Sequence, residues 1–204
     1  MTNRIKAFFA LSLFSFLTLS LGLASSSQAD TYKVNPQKSK VEFRVKHFGQ
    51  GTVVGRFKKY EGSFSLDQKE DKANISSFQS NGTINVISID TGIKARDNHL
   101  RSKEIFDIKQ FPSITFETTG IQEMTPGKQY KILGNLTIKG ITKQIPILLT
   151  VKKSSKVNEF SFTANTHIQR KDFNVVWSSL VEATGSVGQD LNIVLDITGE
   201  KSRI

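Results

Sequence analysis

The chain contains no cysteine, which removes disulfides, thiolate-ligated zinc and thiol nucleophiles together. Its core must hold by packing alone. Histidine is scarce too, at three residues, whereas a zinc centre takes three or four convergent ligands. His47 continues the apolar face of Val41, Phe43 and Val45, while His167 alternates away from Phe162 and Ala164 and His99 lies in an irregular stretch. Two of the three are expected to face apart, so no metal or other cofactor is expected. No G-x-S-x-G elbow occurs. The glycine string GQGTVVG at 49–55 has one residue too many for a dinucleotide loop and leads to Arg56-Phe57 and a strand, not a helix. It is expected to form a bend between strands.

Only one long apolar run is present, from Ala7 to Leu23. It follows Arg4 and Lys6 and precedes Ser27 and Ala29, the order of a Sec-type signal peptide cut before Asp30. Nothing later approaches the roughly 20 apolar residues that cross a bilayer. Residues 1–29 are therefore expected to be removed, leaving 30–204 as one soluble periplasmic domain of 175 residues. That domain would carry 26 basic residues against 18 acids. The bases are mostly spread singly, as at Lys131, Lys139, Lys143 and Lys152, which fits a solvated strand face. Nucleic acid is not expected, since no reading motif accompanies the charge.

What the chain has in abundance is period-2 alternation, the mark of half-buried strands. Ile145, Ile147, Leu149 and Val151 share one face and Gln144, Pro146, Leu148 and Thr150 the other. Comparable sets are Val41/Phe43/Val45/His47, Tyr60/Gly62/Phe64/Leu66, Ile84/Val86, Ile114/Phe116, Tyr130/Ile132/Leu136/Ile138, Phe160/Phe162/Ala164 and Leu191/Ile193/Leu195/Ile197. About eight strands result. Residues 67–74 read as a charged loop, Pro126-Gly127 as a turn and Lys139-Gly140 as a tight connection, so antiparallel neighbours are expected. An all-β antiparallel barrel is predicted, because closure removes vulnerable edges and eight strands leave room for one small ligand.

The exception is KARDNHLRSKEIFD at 94–107, where charge crowds and helical character is plausible. Asp97 and Arg101 are spaced for a surface ion pair. Asp90, Asp97, Glu104 and Asp107 offer the carboxylates of a glycosidase pair, but solvent-facing charges and caps explain them as well.

Four stretches then resemble the YceI-like family of exported lipid-binding proteins: residues 39–64, 88–118 (with RDNHLRS and FPSITF), 134–149 (with LTIKGITK) and IQRKDFNV at 168–175. The resemblance implies a lipocalin-like barrel that binds a long-chain isoprenoid or fatty lipid, such as an isoprenoid quinone or polyprenyl phosphate, without catalysis. Asn174 stands where the family pattern has glycine, and asparagine tolerates the left-handed conformation that glycine adopts. On this reading the apolar cavity is lined by Phe43, Val45, His47, Phe64, Leu100, Phe106, Phe116, Ile132, Phe162, Phe173 and Trp177. Residues 94–107 form a short helical or irregular lid, with Leu100, Ile105 and Phe106 inward. Arg96, Asp97, His99, Arg101 and Arg170 either meet the headgroup or fasten the lid, Arg96 and Asp97 pairing with each other or with Arg170 and Asp172. Two rival functions remain: a lipid-modifying enzyme with His47 as base, or an accessory to a quinone-using membrane redox complex. Transient contact with a membrane surface and homodimer formation are left open.

Overall fold

Alternation builds a wall. In β9 (Ile141–Lys152) Ile145, Ile147 and Leu149 are buried while Gln144, Pro146 and Leu148 face out. β8 (Gln129–Ile138) repeats the pattern, burying Tyr130, Ile132, Gly134, Leu136 and Ile138. The computed structural model describes residues 29–47, 51–69, 72–125, 128–152 and 156–202. Residues 1–28 of the predicted leader (1–29), Gly49 and Gln50 of the glycine string, and the Pro126-Gly127 turn lie outside them.

The remaining strands are β1 (Asp30–Val34), β2 (Lys40–His47), β3 (Gly51–Phe57), β4 (Tyr60–Lys69), β5 (Lys72–Asn85), β6 (Ile89–Asp90), β7 (Ser113–Thr125), β10 (Glu159–Gln169) and β11 (Val187–Lys201). Helices are few: α1 (Lys94–Arg101), α2 (Ser179–Thr184), and 3-10 turns at Val86–Ser88 and Arg170–Phe173. Strands β1, β4, β5, β7, β8, β9, β10 and β11 pair in that order, and β11 returns to β1. The result is a closed antiparallel barrel of eight strands, as expected.

Its membership differs from the expectation by one strand. The end of β11 pairs with β1 through Gly199–Lys201, whereas its longer first part, Val187–Asp196, pairs with β2. β2, β3 and β6 thus extend the wall beside the closed ring. The glycine string is not simply a bend. Gly51 is left-handed, but the chain through Phe57 is β3. Gly55 is required there because the Phe43 ring lies across it; a Cβ at Gly55 would sit 2.1 Å from Phe43 Cζ. The charged loop at 67–74 is also shorter than expected, since β4 and β5 pair as far as Lys69 and Lys72.

Two ends can be told apart. At one, Tyr32, Phe64, Phe78, Phe160 and Phe162 are all buried. Tyr32 stacks on Phe64 at 5.2 Å, and Phe162 meets Phe64 edge-on at 5.2 Å and Phe78 at 5.7 Å. Each pair adds roughly 0.5–1.5 kcal/mol beyond its buried area, which makes a firm plug. At the other end lies the β8–β9 turn, where Lys139 and Gly140 both have positive φ, 50° and 74°, as a two-residue hairpin of matching twist requires. Lys139 Nζ donates to Asn174 O at 2.8 Å. Asn174 is left-handed, φ 53°, so the turn keeps the geometry glycine would give it.

Candidate ligand cavity

The inward strand faces do not meet in the middle. They surround a cavity of about 290 Å³ whose wall is almost wholly hydrocarbon. Ile132, Leu136 and Ile138 of β8, Ile145, Ile147 and Leu149 of β9, and Leu191, Ile193, Leu195 and Ile197 of β11 all line it. From Ile132 to Ile138 the wall runs six residues, or roughly 20 Å along the strand. The hollow is therefore elongated, and it stops against Phe78 and Phe162 of the aromatic plug.

α1 covers the mouth beside β3 and β6. Leu100 is buried under it, and Leu100 and Phe106 line the cavity from the lid while Ile105 is fully buried. A compact polar network holds α1 in place. Asp97, in the first turn where a carboxylate suits the helix dipole, is buried and accepts from the N–H and hydroxyl of Thr91. Arg96 Nε donates to Thr91 Oγ1 and Nη2 to Thr91 O, both at 2.8 Å. Arg101 donates from Nε to Ile87 O at 2.8 Å and from Nη2 to Ile89 O. The lid is thus tied to its own entering strand. The expected Asp97–Arg101 ion pair is absent among the described contacts, because each residue is taken by a nearer backbone partner. The Arg96–Asp97 alternative is replaced by the shared partner Thr91.

The structure brings most of the expected residues together. Phe43, Val45, His47, Leu100, Phe106, Phe116, Ile132, Phe162, Phe173 and Trp177 all face the cavity, and so do Arg96, His99 and Arg170. Phe64 does not. Its ring is committed to the plug, against Tyr32, Phe78 and Phe162. Asp97 and Arg101 belong to the lid fastening rather than the cavity wall. His99 Nε2 lies 3.0 Å from Glu104 Oε2, and His167 sits on the outer face between Asn192 and Asp190. The Nη1 group of Arg96 makes no hydrogen bond among the described residues, so it is a donor at the mouth.

Arg170 corrects the sequence reading most clearly. It is 2% exposed, and its five N–H groups are all engaged. Nε donates to Gly188 O, Nη1 to Val175 O and Glu182 Oε1, and Nη2 to Val187 O and Glu182 Oε2, at 2.6–3.0 Å. Its guanidinium also lies 4.8 Å from the Trp177 ring centroid. None is left for a headgroup. Neither expected lid pairing is formed among the described contacts: Arg170 takes Glu182 in place of Asp97, and Asp172, expected beside Arg96, lies 3.3 Å from Lys143. Glu182, which sequence reasoning missed, is held at about 2, first by the hydrogen bonds from Arg170, then by the Trp177 N–H and Lys171, against the cost of desolvation. Ser178 N-caps α2, its hydroxyl accepting from the Val181 N–H, and a serine at that place is the sequence signal that could have found the helix.

A closed antiparallel barrel with an elongated apolar hollow and a helical lid defines a lipocalin-like cavity protein. The model of the YceI-like domain matches residues 32–199, and the chain belongs to that family. A UPF0312 protein of Yersinia enterocolitica is 34% identical over 191 residues, 88% of this chain and 91% of that one. BcnA of Burkholderia cenocepacia superposes with a TM-score of 0.71 at 28% identity, covering 81% of this chain and 98% of BcnA. A polyisoprenoid binding domain from Saccharophagus degradans shares the fold at 13% identity, with a TM-score of 0.65 over 84% of this chain and 98% of that one.

Proposed function

We propose that this chain is a periplasmic binding protein that carries or stores one amphipathic polyisoprenoid lipid, its tail in the barrel and its head under α1. The observation that carries the reading is the hydrocarbon channel, roughly 20 Å along β8, closed at the aromatic plug and walled almost wholly by apolar atoms. Each methylene moved from water into such a wall gains about 0.8 kcal/mol. Several isoprene units suffice for tight binding with no ionic contact. The polar mouth then selects among heads, with the open Nη1 of Arg96 and the imidazole of His99 offered to a carbonyl or phosphate oxygen.

The ligand named for the Saccharophagus degradans domain supports the same class of ligand here. A signal peptide over residues 1–29 would deliver the domain to the periplasm, and among the described residues no helix is long and apolar enough to cross a membrane. The reading is that of a binder, not an enzyme. The test is extraction of the purified protein with organic solvent, followed by mass spectrometry. The expected result is one class of polyisoprenoid lipid near one molecule per chain, unchanged in mass after long incubation. Empty extracts with no uptake of added isoprenoid quinone or polyprenyl phosphate would remove the proposal. Steady conversion of bound lipid, lost in His47→Ala, would favour the enzyme instead.

A further inference from the structure

A lipid in the barrel must enter and leave through the mouth, and the outer rim of that mouth is neither fully polar nor fully paired. We infer that the rim is a docking face for an anionic bilayer surface, which rests on the reading that the cavity holds a lipid. Three elements each place a bare aliphatic side chain there: Val54 of β3, 47% exposed, Ile93 at the start of α1, 50% exposed, and Leu180 of α2, 75% exposed. Pairing fixes their common level. β3 and β6 pair antiparallel at Arg56–Asp90 and Phe57–Ile89, so the chain leaving β6 runs back along β3 and brings Ile93 towards Val54. On the other side Val187 pairs with His47, which sets α2 beside the tip of β2. Trp177 before α2 and Val187 after it both line the cavity, so Leu180 stands on the same rim.

Cations lie between these anchors. Arg44, Lys46 and Lys94 are exposed and form no ion pair among the described residues. Two of the rim's acids are already answered, Asp90 by Lys58 and Arg56 and Glu182 by Arg170 and Lys171, while Arg44, Lys46 and Lys94 outnumber Glu42, the acid on the same β2 face. Aliphatic anchors interleaved with unpaired cations fit the interfacial region of a bilayer, where apolar burial and attraction to acidic headgroups act together. The domain left after the predicted leader carries 26 basic against 18 acidic residues, a net charge of +8 that points the same way. A protein partner with an acidic face would match the charge but leaves three separate aliphatic side chains without pockets.

The experiment is co-sedimentation with phosphatidylglycerol–phosphatidylcholine vesicles and with phosphatidylcholine vesicles alone. The wild-type protein is expected to bind the anionic vesicles, to release in high salt, and to bind neutral vesicles at least tenfold more weakly. Lys46→Glu/Lys94→Glu should weaken anionic binding by about 25-fold or more, at roughly 5-fold per cation. Ile93→Ser/Leu180→Ser should weaken it too, whereas Met124→Ser/Val157→Ser, exposed apolar residues at the plugged end, should not. All variants should still take up isoprenoid quinone from detergent solution. The inference is overturned by wild-type protein that ignores anionic vesicles, by rim variants that bind as well as wild type, or by loss confined to the Met124/Val157 pair. Failure of quinone uptake in wild-type protein would instead indict the carrier reading.

Discussion

Arg170 and Glu182 form the pairing most sensitive to single-atom change. Replacing one charge of a buried pair strands the other, at a cost of roughly 3–5 kcal/mol. Glu182→Gln is therefore expected to lower stability by about that range in urea unfolding, and Arg170→Met by at least as much, because it strands the carboxylate together with the carbonyls of Val175, Val187 and Gly188. Glu182 also sets a pH dependence. Its folded value, about 2, lies below the ordinary glutamate value of about 4.3, so its contribution is present above that ordinary value and is lost as pH falls through the folded one. Acid titration should loosen residues 175–187 between about pH 4 and pH 2, seen as a change in Trp177 fluorescence, and Glu182→Gln should abolish that step. Gly134 offers a second residue-level test, since a Cβ there would lie 2.1 Å from Phe116 Cζ. Gly134→Ala should cost roughly 1–3 kcal/mol by forcing the ring towards the cavity, and urea midpoints will measure it.

At the scale of elements, legibility followed burial. Strands with three or more inward apolar residues, such as β8, β9 and β11, announced themselves by alternation. β1 did not, because only Tyr32 of its five residues is buried, and β3 hid behind Gly55, whose inward space is filled by Phe43 from the neighbouring strand. α2 has six residues and buries none, so no 3.6-residue periodicity could reveal it. The cavity wall was readable for the same reason as the strands: an inward residue of a barrel either packs or lines. Phe64 shows the limit, since alternation gives the face but not the depth along the barrel. The lid fastening was unreadable because Arg96 and Asp97 converge on Thr91, and Arg101 on the carbonyls of Ile87 and Ile89, partners that helical spacing does not suggest. Thr91→Val removes the shared hydroxyl and should free α1. Faster amide exchange over 94–101, with unchanged protection in β8 and β9, is the expected result.

Taken whole, the molecule divides its labour along the barrel axis. The aromatic plug and the β1 closure fill one end, while α1, α2 and the β2–β3 extension stand at the other, where the proposed ligand would enter. Chain closure without disulfides is consistent with this division, because the eight-strand ring leaves no long edge to protect. The claim on which everything else depends is that an isoprenoid tail occupies the hollow. Trp177 is the chain's one tryptophan, and it stands on the cavity wall, so its fluorescence reports occupancy directly. Titration of delipidated protein with an isoprenoid quinone should give saturable quenching at one quinone per chain, and Ala164→Phe, which fills the hollow beside Phe162, should abolish it while the protein stays folded. Quenching that never saturates, or that is unchanged in the filled variant, would contradict the account.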